Sequence, residues 1–317
     1  MLSDDPRTTP NPASLQYLVL GASGLVGGAF HHWLERHGRT VTGTYHARQK
    51  PGLVRFDFGS EAGLLGEGLA PDVIVMASAL THVDFCETHP EEAYRRNVED
   101  VRLVVNYSRA RGCQLVFFST DYVFDGHAGP YDEDAVPHPI SVYGRTKRLA
   151  EELVLTLPRS LVLRITNVFD IGYDDRNFVH RCVTHLRERE WLVVPADQLA
   201  TPAYATWIAD QCMALYAMGA ILREGSPRLL HAGCDDLVSR GELARRIAAR
   251  LGADASLIEE RATAQLGQVA ARPLRGGLKN DAWKRLLGVG RLPLDDALED
   301  CLPRMRRVYA GAHWPRS

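Results

Sequence analysis

Short apolar runs alternate with longer amphipathic stretches through the first half of this chain. Residues 16–20 (QYLVL), 40–45, 53–58 (LVRFDF), the VIVMASA run that follows Pro71-Asp72, 114–118 and 160–165 each have the length and composition of a buried strand. Between them, helical patterns run from the glycine-rich turn after residue 20 to about Arg36, from 90 to 111 and from 142 to 157. Strand and helix in regular alternation predict an α/β protein built on a doubly wound parallel sheet. Beyond about residue 166 the rhythm loosens. Helices are expected over 177–189, 206–219, 239–251, 280–287 and 294–308, with short strands over 191–194 and 228–231. Ser239 and Glu242 have the spacing of a helix cap. The chain is accordingly expected to form a domain over 15–170 and a smaller C-terminal α/β domain over 171–317, some of whose segments return to the sheet.

The first strand runs into Gly21-Ala22-Ser23-Gly24-Leu25-Val26-Gly27 and then into a helix. Strand, glycine turn and helix in that order form the context in which such glycines bring backbone close to a pyrophosphate at a helix N-terminus. This makes the expected fold Rossmann-type and the domain over 15–170 an NAD(P)-binding one. The second strand ends in Thr44-Tyr45-His46-Ala47-Arg48, which offers no carboxylate to a ribose and one arginine suited to a 2′-phosphate. NADP is therefore favoured, with NAD left open. The stretch 115–147 carries the candidate chemistry. Its apolar strand stops at Ser119-Thr120-Asp121-Tyr122, and Tyr143 and Lys147 follow one helical turn apart. Eleven tyrosines and four lysines give about 0.14 such pairs by chance. A phenol beside an ammonium, near hydroxyls at a strand end, suits proton delivery to a carbonyl, with the lysine charge lowering the tyrosine pKa.

Composition narrows the picture without redirecting it. Of 317 residues, 45% are hydrophobic and 24% charged, as in ordinary globular proteins, and the formal net charge of −2 makes no case for nucleic acid or an anionic membrane. No apolar run approaches the length of a membrane span. The six cysteines are scattered without metal-ligand spacing, so they read as reduced thiols, and no metal site is expected. The polar, proline-bearing residues 1–14 read as a disordered tail with no signal-peptide character, and the expected location is cytoplasmic.

Several motifs together resemble the extended short-chain dehydrogenase/reductases, most closely the dTDP-4-dehydrorhamnose reductase branch. They are GASGLVG at 21–27, PDVIVMASALTHVDFCE at 71–87, FFSTDYVFDG at 117–126, VYGRTK at 142–147, LRITNVF at 163–169, DQLATPAYA at 197–205 and RP at 272–273. The resemblance implies an NAD(P)H-dependent reductase of a nucleotide-linked 4-keto-6-deoxysugar, with Thr120, Tyr143 and Lys147 as the catalytic set. It assigns Gly21, Ser23, Gly24, Leu25 and Gly27 to the pyrophosphate, and places Asp57 and Phe58 near the adenine. Ser78, Ala79 and Thr81 would line the cofactor, beside Tyr143 and Lys147. Val83, Asp121, Tyr122, Asn167 and Arg272 would meet the nucleotide sugar, although Arg272 reads equally as a buried arginine paired to a carboxylate. Met76, Asn167, Ala200 and Ala203 depart from the pattern and leave the sugar open. A homodimer is also left open. A nucleotide-sugar epimerase or dehydratase, and a non-catalytic NADP-binding subunit resembling that of methionine adenosyltransferase, stand as alternatives.

Overall fold

The computed structural model describes residues 14–58, 69–171 and 176–308. Apart from Ser14, the expected tail over 1–14 lies outside the described residues. The chain begins β1 (Gln16–Leu20), α1 (Leu25–Arg36), β2 (Thr40–Tyr45), β3 (Val54–Arg55) and β4 (Val73–Met76). Then come α2 (Val83–Thr88), α3 (Pro90–Tyr94), a π-helical stretch over Arg95–Glu99, α4 (Asp100–Arg111), β5 (Gln114–Thr120), α5 (Val142–Val154) and β6 (Ser160–Ile165). The remainder forms α6 (Phe178–Glu188), β7 (Leu192–Pro195), β8 (Leu199–Ala200), α7 (Ala205–Ala217), β9 (Leu229–His231) and β10 (Val238–Ser239). It ends with α8 (Arg240–Leu251), β11 (Ile258–Arg261), α9 (Asp281–Leu287) and α10 (Leu294–Val308).

Seven strands form a parallel sheet in the order β3-β2-β1-β4-β5-β6-β9. The winding direction reverses between β1 and β4, which opens a crevice at their carboxyl ends. The strands alternate between two cores. Tyr17, Val19, Val75, Val116, Phe118 and Leu163 pack with Phe30 and Leu34 of α1 and Ile208 and Leu215 of α7. Leu18, Leu20, Ile74, Met76, Leu115 and Phe117 pack with Val101, Val104 and Val105 of α4 and Ala150 and Val154 of α5. Burial on both faces is why these strands read as continuous apolar runs rather than alternating ones. A separate core joins α6, α8 and α10 through Val179, Leu186, Leu243, Ile247, Leu298 and Met305.

Two local expectations change and a third holds. The strand expected over 53–58 shrinks to Val54–Arg55, an exposed strand that among the described residues pairs only with β2. An edge strand lacks the second neighbour that would extend it. The helix expected over 90–111 is interrupted by the π-helical stretch, and α2 stands ahead of it, capped by His82, whose Nδ1 accepts from the Phe85 N–H at 3.0 Å. Six residues are too few to show a helical period. The Ser239 cap forms as its spacing predicts, accepting from the Glu242 N–H at 3.0 Å.

Candidate active site

The glycine turn is shaped by two close approaches. Gly21 has φ +87°, and a Cβ there would stand 2.8 Å from the Ser78 N. A Cβ on Gly27 would stand 2.3 Å from the Gly21 carbonyl oxygen, so only glycine lets α1 pack onto its own turn. Thr44, buried on β2, pins the turn by accepting from the Gly21 N–H at 3.1 Å and donating to the Val19 carbonyl at 3.3 Å. Gly24 caps α1 with no side-chain acceptor, and the first turn holds no acidic residue. Its N–H groups and partial positive charge therefore remain for an external anion. Beside the turn, the Ser78 hydroxyl is buried without a hydrogen-bond partner. Ser23 and Leu25 are half-buried in the turn, while Ala79 and Thr81 are exposed after β4. Arg48 and Asp57 are exposed beyond β2 and β3, and Phe58 sets its ring edge-on to Phe56 at 4.8 Å. A backbone cradle with an orphaned hydroxyl alongside fits the pyrophosphate of a dinucleotide.

Next along the sheet, Thr120 ends β5, and α5 is anchored above it. The Ser141 hydroxyl accepts from the Gly144 N–H at 3.2 Å, and Glu87 Oε2 accepts from the Val142 N–H at 2.9 Å. A Cβ on Gly144 would lie 2.1 Å from the Tyr122 carbonyl oxygen, so glycine lets α5 close on the end of β5. Tyr143, Lys147 and Glu151 all lie on the buried face of α5. The Lys147 ammonium donates to the Phe118 carbonyl at 2.6 Å and sits 4.0 Å from the centre of the Phe117 ring. Burial pulls its pKa down to about 7, with Glu151 pulling the other way. Burial also raises the Tyr143 pKa well above its usual value, opposed by hydrogen bonding to Thr120. Burial thus outweighs the lowering expected from the lysine, whose ammonium is held by the strand-end carbonyl.

The residues expected near the sugar divide by what they touch. Tyr122 meets Tyr143 edge-to-face at 5.6 Å, and Val83 packs into the same apolar cluster. Asp121 is buried, and its oxygens are taken by chain groups. Oδ1 accepts from the Thr120 hydroxyl at 3.3 Å and Oδ2 from the Gly277 N–H at 3.2 Å, with Thr166 also bonded. The carboxylate thus ties the end of β5 to the loop at 276–277. Arg272 pairs with Asp84 at 2.8 Å and donates to the Ala270 carbonyl at 3.2 Å, which is the carboxylate-paired arrangement the sequence left open. Asn167 takes a left-handed backbone, φ +44°, just beyond β6.

Sequence reasoning passed over several groups at this edge. Asn97, on the π-helical stretch, accepts from the Leu80 N–H at 2.9 Å and donates to the Leu80 carbonyl at 3.1 Å and the Thr146 hydroxyl at 3.2 Å. It thereby fixes the segment after β4 against α5. A polar cleft of about 240 Å³ is lined by Arg176, Asn177, Phe178, Arg181, Arg240 and Gln198, among others. Arg240 stacks its guanidinium 4.6 Å from the centre of the Phe178 ring, and its charge reaches Asp121 and Tyr122. These residues come from separate helices and loops, so no local motif announces them. Among the described residues no group of three or more His, Cys, Asp or Glu is placed to hold a metal ion, and no helix is long and apolar enough to cross a membrane.

Comparison with known proteins agrees with this geometry. The family model described as the RmlD substrate binding domain matches residues 15–307. A protein of Streptomyces antibioticus named a probable dTDP-4,6-dihydroxy-2-methyloxan-3-one 4-ketoreductase is 32% identical over 310 residues, covering 95% of this chain and 98% of its own length. The dTDP-4-dehydrorhamnose reductase of Streptomyces griseus is 32% identical, covering 85% of this chain and 87% of its own. In fold, the chain superposes on a Bacillus anthracis dTDP-4-dehydrorhamnose reductase solved in complex with NADP, with a TM-score of 0.80 at 24% identity, covering 92% of this chain and 99% of that one. With the glycine cradle, the strand-end hydroxyls and the Tyr143/Lys147 helix on one edge of the sheet, the chain belongs to the RmlD substrate-binding-domain family, in the dTDP-4-dehydrorhamnose reductase-like branch of the extended short-chain dehydrogenase/reductases.

Proposed function

We propose that this protein reduces the 4-keto group of a nucleotide-linked 4-keto-6-deoxysugar, such as dTDP-4-dehydrorhamnose, using NADPH in preference to NADH. The observation that carries this reading is the burial of Thr120, Tyr143 and Lys147 together at the end of β5, with a phosphate-type cradle on one side and an arginine-lined cleft on the other. Gly21, Ser23, Gly24, Leu25 and Gly27 would hold the pyrophosphate, Ser78, Ala79 and Thr81 the adjoining face, and Asp57 and Phe58 the adenine end. Arg48 would meet the 2′-phosphate. Bound reduced nicotinamide supplies the hydride.

The Thr120 hydroxyl orients the substrate carbonyl oxygen, and the Tyr143 phenol gives that oxygen its proton. A tyrosine whose pKa is held up by burial is fully protonated at neutral pH, the form a proton donor needs. Lys147 contributes its charge as the phenolate forms and takes the ribose hydroxyls. Arg181 and Arg240 suit the substrate diphosphate, while Val83, Tyr122 and Asn167 would bound the sugar. Arg272 reaches the nucleotide only from within its Asp84 pair, and Asp121 contributes by holding the wall.

The test is turnover of purified protein with dTDP-4-keto-6-deoxysugars, followed by nicotinamide absorbance with each cofactor. Oxidation of NADPH faster than NADH, with a 4-hydroxy sugar as product, is the expected result. Tight cofactor binding without consumption of any nucleotide-keto-sugar would reject the reductase reading in favour of a binding subunit.

A further inference from the structure

Tyr143, Lys147 and Glu151 follow one another at one-turn intervals on the buried face of α5. The first two belong to the proposed chemistry, whereas Glu151 lies too deep to meet a ligand and has no exposed surface. An acid so placed needs an explanation, because burying a carboxylate is costly unless it is paired. It has a pair: Arg164 on β6, 1% exposed, donates through Nε to Oε1 and through Nη2 to Oε2, both at 2.7 Å. Arg148 adds a contact at 3.2 Å from the helix surface. Behind the pair, Arg164 Nη1 lies 3.3 Å from His231 Nε2 on β9. Burial and the arginine charge push His231 down to about 3, so that ring is neutral.

We propose that Glu151 is a positioning residue that keeps the Lys147 ammonium charged and aimed at the end of β5, with Arg164 keeping Glu151 ionised in turn. The groups around Lys147 leave this task to Glu151. From β5 it meets the Phe118 carbonyl and the Phe117 ring, neither of which carries a full charge. Tyr143 on its own helix is neutral; Glu87 from α2 is bonded to the Val142 N–H at the helix start, and the oxygens of Asp121 beyond β5 are taken by Thr120, Thr166 and the Gly277 N–H. From β6 and β9 come Arg164, whose guanidinium is turned to Glu151, and neutral His231; from the π-helical stretch comes the uncharged Asn97. Burial works against the ammonium, and Glu151 is the charge that offsets it. Burial likewise pushes the Glu151 carboxyl up, but Arg164, with Ser119 and Arg148 beside it, outweighs burial and holds the acid below its usual range. The proposed reaction thus draws on a buried ion pair that never touches substrate.

The inference rests on the reductase reading for its purpose, but its test needs no substrate. With only four lysines in the chain, Lys50, Lys147, Lys279 and Lys284, isotope-labelled lysine gives a simple NMR spectrum in which Lys147→Arg identifies the Lys147 signal. That signal is titrated in the parent, in Glu151→Gln, and in Glu151→Gln/Arg164→Met, which spares the fold an unpaired guanidinium. The parent midpoint is expected near 7, and both variants about one pH unit lower, with the other three lysines unmoved. At pH 7 the charged fraction would then fall from about one half to about one tenth. An unchanged Lys147 midpoint in the folded variants overturns the proposal whatever ketone the enzyme takes. If the midpoint falls while no keto-sugar is turned over, the reductase reading fails and the positioning role stands.

Discussion

Around β5 and α5, charged side chains are buried and answered by the chain: Lys147 by a carbonyl, Glu151 by Arg164, Asp121 by Thr120 and a backbone N–H. Around α6 and the start of α8, guanidinium groups instead line an open polar cleft. The two regions meet where Arg240 reaches Asp121 and Tyr122. Under the proposed function, the difference follows from what each would do. A proton donor acts in one geometry, so the groups around it are fixed before substrate arrives and kept from water. A diphosphate arrives solvated and carries its own charge, so a receptor of long, partly hydrated arginines captures it with less reorganisation.

The comparison breaks most sharply at Tyr143. Tyr143→Phe should lower kcat by about 10²–10⁴-fold while cofactor binding, followed by fluorescence, stays near the parent value. A variant that kept its turnover would remove the phenol from the chemistry. Arg164→Met probes the energetics of the buried side. It should cost about 3–5 kcal/mol in denaturant unfolding at neutral pH, because Glu151 is left unpaired in the interior. An unpaired Glu151 would have a folded pKa above its unfolded value of about 4.3. The folded state then holds its proton more tightly, so the penalty should shrink as pH falls toward that value and be greatest above the folded pKa. A loss independent of pH would point to packing alone. The smallest effect is expected on the open side. Arg240→Met should raise KM for the nucleotide sugar by about 10–100-fold and leave kcat nearly unchanged, as removal of a binding contact does. A fall in kcat at constant KM would move Arg240 to the catalytic side of the contrast.

Legibility in the sequence follows the same divide. The strands β1, β2 and β6 and the helices α1 and α4–α5 could be read because each carries its own apolar period and lies beside a local signal. The GASGLVG turn and the Tyr-x-x-x-Lys spacing are likewise local, since one turn of backbone or helix brings the relevant groups together. Asn97, Thr44, Arg240 and the Glu151–Arg164 pair could not be read this way. Asn97 acts through a π-helical stretch that breaks the helical period, and Glu151 finds Arg164 only because β6 lies beside β5 under α5. Arg272 shows the limit most plainly: one residue suited equally to a diphosphate and to a carboxylate, and only the fold brought Asp84 within 2.8 Å.

What the sequence determined by itself was the alternation that makes a parallel sheet, the glycines that let α1 close on its own turn, and the placing of Tyr143 and Lys147 on one helix face. These are contacts within a few residues, governed by backbone geometry and side-chain period. The tertiary structure decided where the Lys147 ammonium points, which carboxylate balances it, and which arginines gather at the cleft. Those outcomes depend on desolvation and on partners contributed by distant strands and helices, and neither exists until the sheet has formed.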